Sequence, residues 1–425
     1  MTTYEPVIGL EIHTQVKTQS KMFCGCPADV FGKEPNTATC PVCLALPGAL
    51  PVPNIEAVKK TVTLAKALGC EITSLSQFER KNYFYPDLPK GYQISQYVEP
   101  IGKKGKFEGA EITRVHLEED TGRLLHKGPV TLVDFNRSGI PLIEIVTEPV
   151  FSDPETVGKF LKELRTNLVH FEISAADMEE GSLRLEANVS LRKAGERQLP
   201  DYRVELKNIN SFAFLVSAVK GEIERQKDLL EKGEKVTQET RGWDEKQGIT
   251  VSQRKKEEAF DYRYFPEPDI PPLTKKILIG EKKRKTPGEI RQEYSALGLS
   301  AQYISVFLAD LELAYLFEEL RKEIPAQEAA NILVNKRFGD PEKLGISGLL
   351  AAYHAEEKKE FVLGGDLRQA TEKIVLDNPS AVGDYTAGKE SALEFLLGQL
   401  MKAEKGRIKP EEGREILKNI IHARS

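Results

Sequence analysis

The sequence predicts an α+β fold followed by an all-helical C-terminal part. Two patterns carry this prediction. Over roughly the first 270 residues, alternating apolar and polar segments mix irregularly with helical patterns, without the strand–helix–strand rhythm of a parallel sheet. After the proline-rich stretch Phe265-Pro-Glu-Pro-Asp-Ile-Pro-Pro-Leu273, only helical patterns follow.

Segment 7–16 alternates as a strand, with Leu10 and Ile12 on one face and Glu11, His13 and Gln15 on the other. A helix is expected over 54–68 and a strand over 112–118. The next helix spans 153–169, with Asp153 as N-cap and Pro154 in the first turn, where its missing N–H costs nothing. Over 183–192, Leu183, Leu185, Ala187, Val189 and Leu191 oppose Arg184, Glu186, Asn188, Ser190 and Arg192. A strand at 202–208 and a helix at 212–232 complete this part. Beyond the basic run Lys282, Lys283, Arg284, Lys285, Thr286-Pro287 opens the first C-terminal helix. A single amphipathic helix is expected at 305–321, a break at 379–387, and two last helices at 388–403 and 410–423. The domains expected are 1–283, 284–355 and 356–425, with a boundary near 281–286 and a softer one within 340–360.

At 425 residues the chain is long enough for two or three domains, and 40% hydrophobic with 29% charged residues describes a globular protein. No apolar run approaches a membrane span, and the N-terminus lacks the basic-then-apolar pattern of a secretion signal. Together with clustered cysteines and the odd Cys70, this suits a cytoplasmic protein better than a disulfide framework. A net charge of −5 does not advertise a nucleic-acid binder, although local patches could still do that job.

Four of the five cysteines fall in Cys24-Gly-Cys26 and Cys40-Pro-Val-Cys43. Each short pair makes a turn that aims two sulfurs at one centre, so the set suits a closed, tetrahedral, structural zinc site. Idle thiols in a reducing compartment are the alternative. Chemistry is expected beside it. Hard Mg²⁺ takes oxygen ligands and lets phosphate oxygens complete its shell. Glu11 and His13 project from one strand face; Glu118, Glu119 and Asp120 end another strand; Glu144 sits between apolar neighbours, where an unpaired charge is costly. Lys81-Asn-Tyr83-Phe-Tyr-Pro-Asp87 is dense in aromatic and hydrogen-bonding groups, fit to line a polar pocket, to stack a base, or to form an aromatic β-hairpin. Arg184 and Lys207 lie in charged strand segments. No G-x-x-x-x-G-K-[ST] occurs, so a nucleotide would not be held by a P-loop.

The motifs Val7-Ile-Gly-Leu-Glu-Ile-His13, Arg80-Lys-Asn-Tyr-Phe-Tyr-Pro-Asp87, His116-Leu-Glu-Glu-Asp-Thr-Gly122, Pro141-Leu-Ile-Glu-Ile-Val146, Met178-Glu-Glu-Gly-Ser-Leu-Arg184 and Asp261-Tyr-Arg-Tyr-Phe-Pro-Glu-Pro-Asp269 occur in this order. On them the chain closely resembles the B subunits of tRNA-dependent amidotransferases, the GatB family. The resemblance implies a cradle fold shared with glutamine synthetase and guanidino kinases. It also implies ATP-dependent phosphorylation of the side-chain carboxylate of mischarged Glu-tRNA(Gln) or Asp-tRNA(Asn), then amidation. Ammonia would come from glutamine hydrolysed by an amidase A subunit, with a small C subunit completing a heterotrimer. Glu11, His13, Glu119 and Glu144 would hold Mg²⁺, Glu118 replacing Glu119 if the strand register differs by one. Lys81 and Tyr83 would line the pocket or the ammonia route, and Arg184, Lys207 and Arg263 would contact phosphate. The cysteines would be structural.

The C-terminal helices would form a tRNA-binding tail. There Lys402, Lys405, Arg407, Lys409, Arg414, Lys418 and Arg424 outnumber the glutamates seven to four, which fits phosphate contacts; a solvated helix surface is the alternative. The region 325–380 is shorter than the family's usual pattern.

Overall fold

The computed structural model describes residues 3–255, 262–278, 284–357, 365–404 and 408–423. Asp261 and the basic residues Lys282, Lys283, Lys405, Arg407 and Arg424 lie outside them. The chain divides into two compact units, Met1–Leu311 and Glu312–Ser425. Among the described residues no helix is long and apolar enough to cross a membrane.

The first unit is built on a nine-stranded sheet. Its strands are β1 (Tyr4–Gln15), β2 (Glu71–Ile72), β3 (Gly102–Phe107), β4 (Ala110–Glu119), β5 (Pro141–Thr147), β6 (Leu183–Lys193), β7 (Val204–Ile209), β8 (Glu239–Asp244) and β9 (Ile249–Lys255). They lie in the order β9-β8-β7-β6-β1-β5-β4-β3-β2. Only β7 and β8 run parallel; every other neighbouring pair is antiparallel. The expected α+β class is therefore observed.

Three helices supply the second layer: α1 (Ile55–Ala67), α2 (Pro154–His170) and α3 (Phe212–Glu231). Each starts at a polar cap that satisfies first-turn N–H groups: Asn54 accepts from Glu56 and Ala57, Asp153 from Thr156, and Ser211 from Phe214. Helix α1 packs on β3 and β4, and α3 on β6, β7 and β9. Phe160 of α2 meets Phe107 and Phe151 edge-on. Leu10, Ile12, Val115, Leu117, Ile143, Ile145, Leu185 and Ala187 fill the core that includes this layer. Each such side chain, fully buried, contributes roughly 1.5–3 kcal/mol except the smaller alanine. Because side chains alternate, that burial also fixes which residues the opposite face presents.

A polar network ties α3 to the far edge of the sheet. Glu222, fully buried, accepts from Arg225 (2.6 and 3.0 Å), from Gln226 (2.8 Å) and from the Thr250 hydroxyl (2.8 Å). Arg241 approaches it at 3.4 Å and also pairs with Glu239.

The first unit continues past the expected 281–286 boundary to Leu311. Helices Pro287–Ala296 and Ala301–Ala309 pack on α2, and Arg291 pairs with Glu163 of α2 at 2.5 Å. Thr286 opens the first of them with a full capping box.

The helix expected at 305–321 is two helices, Ala301–Ala309 and Leu311–Leu320. Asp310 leaves the helical region (φ −127°, ψ 103°) and breaks the ladder between two segments whose apolar pattern continues across it.

In the second unit, Gly365–Asp377, Glu390–Ala403 and Pro410–His422 bury Leu367, Val375, Leu396, Leu400, Leu417 and Ile421 in one core. The break expected at 379–387 is a short helix, Pro379–Thr386, because Pro379 sits in the first turn, where proline is tolerated. The interruption falls instead at Gly388, whose φ of 96° suits glycine. The expected 355/356 boundary stands beside residues 358–364, which are outside the described set.

Candidate active site and cysteine centre

The sheet face opposite the core-filling side chains carries a row of polar side chains. In register across β6, β1, β5 and β4, Arg184 faces His13, His13 faces Glu144, and Glu144 faces His116. Glu11 and Glu118 stand two residues along their strands and so share that face. His13 Nε2 lies 3.4 Å from Glu144, 3.7 Å from Glu118 and 3.9 Å from Glu11. His116 Nε2 lies 3.2 Å from Glu144 and 3.6 Å from Glu118.

These groups form two donor triads, Glu11/His13/Glu144 and His116/Glu118/Glu144, each with its ligand atoms within 4.8 Å of one another. Glu144 belongs to both.

The charges are strongly coupled. Burial raises the Glu11 carboxyl, and Glu144 and Glu186 add to this, to about 7. Burial pulls His13 down, but its hydrogen bond and charge contact with Glu144, helped by Glu118 and Glu11, push it up to about 9. Burial would also raise Glu144, yet His116 and His13 hold it well below the usual carboxylate range. Three carboxylates crowded on one face repel one another, and His116 Nδ1 is buried without a hydrogen-bond partner. Oxygen-rich donors that mutually repel fit a divalent cation.

Beside the triads is a cavity of about 230 Å³, lined by Glu11, His13, Lys81, Tyr83, Glu118, Asp120, Arg184, Glu186 and Lys207 among others. Lys81 comes from strand Glu79–Asn82, its ammonium 5.0 Å from the Tyr262 ring centroid. Burial disfavours its charge, but Glu118, Tyr264, Glu144 and Tyr262 together outweigh that and keep Lys81 protonated. Burial raises the Tyr83 phenol, which stays neutral. Arg184 pairs with buried Asp120 at 3.0 Å, and Lys207 with Glu186 at 2.8 Å.

Two expected site residues lie elsewhere. Glu119 points away from the triads: it pairs with Lys90 at 2.7 Å and accepts from Ile94 N at 3.0 Å. It lines a separate cavity of about 210 Å³ with Cys24, Cys43 and Lys90. Val115 and Leu117 face the core, so alternation puts Glu119 on their side and His116 and Glu118 on the polar face, and Glu118, the stated alternative, stands where the resemblance puts Glu119. A β-bulge, where Val146 pairs with Arg114 but Thr147 with Ile112, lets Ile112 face the core as well. Arg263 is exposed at φ 44°, its carbonyl accepting from Asn82, and does not line the cavity; neighbouring Tyr262 faces Lys81 instead. Sequence reasoning missed His116, although its spacing of two from Glu118 was the available signal.

The four expected cysteines do converge. Their sulfurs lie within 4.8 Å of one another and form no disulfide. Cys40 and Cys43 sulfurs are 3.8 Å apart, and the Cys40 N–H donates to Cys43 Sγ at 3.1 Å. A hydrogen bond from Cys24 draws the Cys43 thiol down to about 4; the Cys40 N–H and the Lys21 ammonium assist against burial. A four-sulfur set with one member already favouring thiolate fits a tetrahedral soft-metal site.

Cys40→Ser is expected to weaken zinc retention at least ~10-fold and lower the melting temperature, while the folded fraction keeps its turnover. Metal analysis with a thermal melt and active-fraction titration checks this. Loss of kcat at an unchanged melting temperature would contradict a purely structural role.

The GatB/GatE catalytic domain family matches residues 6–278, and a GatB domain matches 352–421. Among curated relatives, the B subunit of the aspartyl/glutamyl-tRNA(Asn/Gln) amidotransferase of Carboxydothermus hydrogenoformans is 40% identical over 478 aligned positions, covering 99% of both chains. The protein of the same name from Thermosipho melanesiensis is 42% identical over 475, covering 98% of this chain and 99% of its own. Both alignments exceed the 425 residues of this chain, so relatives carry segments with no counterpart here. With family matches on both sides of 279–351 and full-length identity at this level, the chain belongs to the GatB family, the B subunits of tRNA-dependent amidotransferases.

Proposed function

We propose that the cradle face activates the side-chain carboxylate of Glu-tRNA(Gln), Asp-tRNA(Asn) or both, by transfer of the γ-phosphoryl group of ATP. A carboxylate oxygen attacks the γ-phosphorus and ADP leaves, giving an acyl phosphate. Ammonia then attacks the acyl carbon and inorganic phosphate departs, leaving the amide. The observation that carries this reading is the pair of donor triads sharing Glu144 beside a cavity walled by Lys81, Arg184 and Lys207.

Phosphoryl transfer between two anions depends on positioning and charge stabilisation rather than on a protein nucleophile. Glu11, His13, Glu118, His116 and Glu144 would hold Mg²⁺, which supplies positive charge to the phosphate oxygens. Arg184 and Lys207, steered by Asp120 and Glu186, would meet the phosphates. Lys81, kept charged by Glu118, Tyr264, Glu144 and Tyr262 together, would stabilise the negative charge that grows on the acyl phosphate, with Tyr83 lining the same cavity. Ammonia would come from an amidase A subunit, a small C subunit would complete the heterotrimer, and the C-terminal tail, 356–425, would bind tRNA. The cysteine centre would hold structural Zn²⁺.

In the complete three-subunit complex, ATP cleavage should depend on mischarged tRNA and fall roughly 10²-fold or more in Glu11→Gln. Cleavage that ignores tRNA, or is unaffected by Glu11→Gln, would reject the assignment.

A further inference from the structure

Lys21 is fully buried, yet no carboxylate pairs with it among the described residues. Its ammonium has three N–H groups and three acceptors from three places. They are the Ala38 carbonyl (2.8 Å), the Phe135 carbonyl (3.3 Å) and Cys43 Sγ (3.7 Å). Its backbone N–H donates to Cys26 O at 2.9 Å, so the residue touches both cysteine pairs. A buried ammonium is expensive unless an anion faces it, and among the described residues the group able to do so is the Cys43 sulfur. A zinc ion with four thiolates carries net negative charge and would supply one.

The same lysine sits in a strap. Ala38 N donates to Asn136 Oδ1 (2.7 Å), Asn136 Nδ2 to Glu34 O (2.7 Å), and Phe135 N to Asn36 Oδ1 (2.8 Å). Met22 N donates to Gly139 O (2.7 Å), and Gly139 N to Asp120 O (2.9 Å). Segment 135–140 thus joins the cysteine loop to Asp120, which pairs with Arg184 in the cavity wall.

We propose that Lys21 is a positioning residue: the charge partner of the metal–thiolate centre and the tie fastening that centre to segment 135–140. The inference rests on the zinc reading of the cysteines. Lys21→Met keeps the stem and removes the ammonium, whereas Asn136→Ala cuts the strap without changing charge.

Zinc affinity of each variant, within the assembled complex, is measured by competition with a chromophoric chelator. Lys21→Met is expected to bind zinc ~10–100-fold more weakly than wild type, and Asn136→Ala less than ~3-fold more weakly. Equal weakening in both variants, or none in Lys21→Met, overturns the charge-partner role. A wild-type chain that holds no zinc overturns the metal reading and this inference with it.

If Lys21→Met does not fold, amine acetylation of the wild-type complex followed by peptide mass spectrometry decides. Lys21 should become at least ~10-fold more reactive when metal is stripped, as the tie is released, with surface Lys343 reactive in both states. Equal protection of Lys21 with and without metal overturns the proposal.

Discussion

Glu144→Gln is expected to lower tRNA-dependent ATP cleavage by roughly 10²–10³-fold, the largest catalytic effect of any single substitution on the cradle face. The glutamine keeps the size of the side chain but loses the charge that both triads share. Any cation bound by either triad loses a ligand, and His13 and His116 lose their nearest anion, at 3.4 and 3.2 Å. A thermal melt must accompany the assay, since Glu144 is buried in β5. Turnover within tenfold of wild type would mean that the shared carboxylate is not central to the chemistry.

Glu222→Ala is expected to destabilise the first unit by about 3 kcal/mol without touching the cavity. The loss exceeds that of one hydrogen bond because four donors are stranded together: Arg225, Gln226, Thr250 and, through its charge, Arg241. The two arginines are partly solvated, which keeps the cost at the lower end of the range for a broken buried pair. Glu222→Gln should cost less, since it retains an acceptor. Urea unfolding followed by tryptophan emission reads the change at Trp243, which lies on β8 beside the network. A loss below ~1 kcal/mol would mean that the network is easily replaced by water.

Much of the site was legible because one face of each strand must be apolar. Leu10 and Ile12 force Glu11 and His13 outward, and Ile143 and Ile145 do the same for Glu144. The Glu118–Glu119 choice was legible by the same rule, since Val115 and Leu117 turn Glu118 outward, but the resemblance favoured Glu119 and a bulge at Thr113, which leaves no compositional mark, puts Ile112 out of step with them. The spacing of His116 from Glu118 was legible, but its place opposite Glu144 on β5 exists only once the sheet is assembled. The two-helix break at Asp310 was hidden because the apolar pattern carries on beyond it, and hydrophobicity does not report one residue's dihedral angles. Helix starts were legible at the caps Asp153 and Thr286, whereas the start capped by Ser300 was expected four residues late.

The in-register row across β6, β1, β5 and β4 also bears on how such a gene can change length. Losing or gaining one codon inside any of these strands would turn the downstream part of its face inside out, carrying a ligand into oil and a leucine into water. Only a compensating bulge, like the one already present in β4, would restore it. Drift in length is therefore expected to be purged from the four central strands and tolerated in exposed hairpins such as Arg123–Lys127 with Val130–Asp134. A library of single-codon insertions should show that division as a sharp map of silent and inactive positions along the chain.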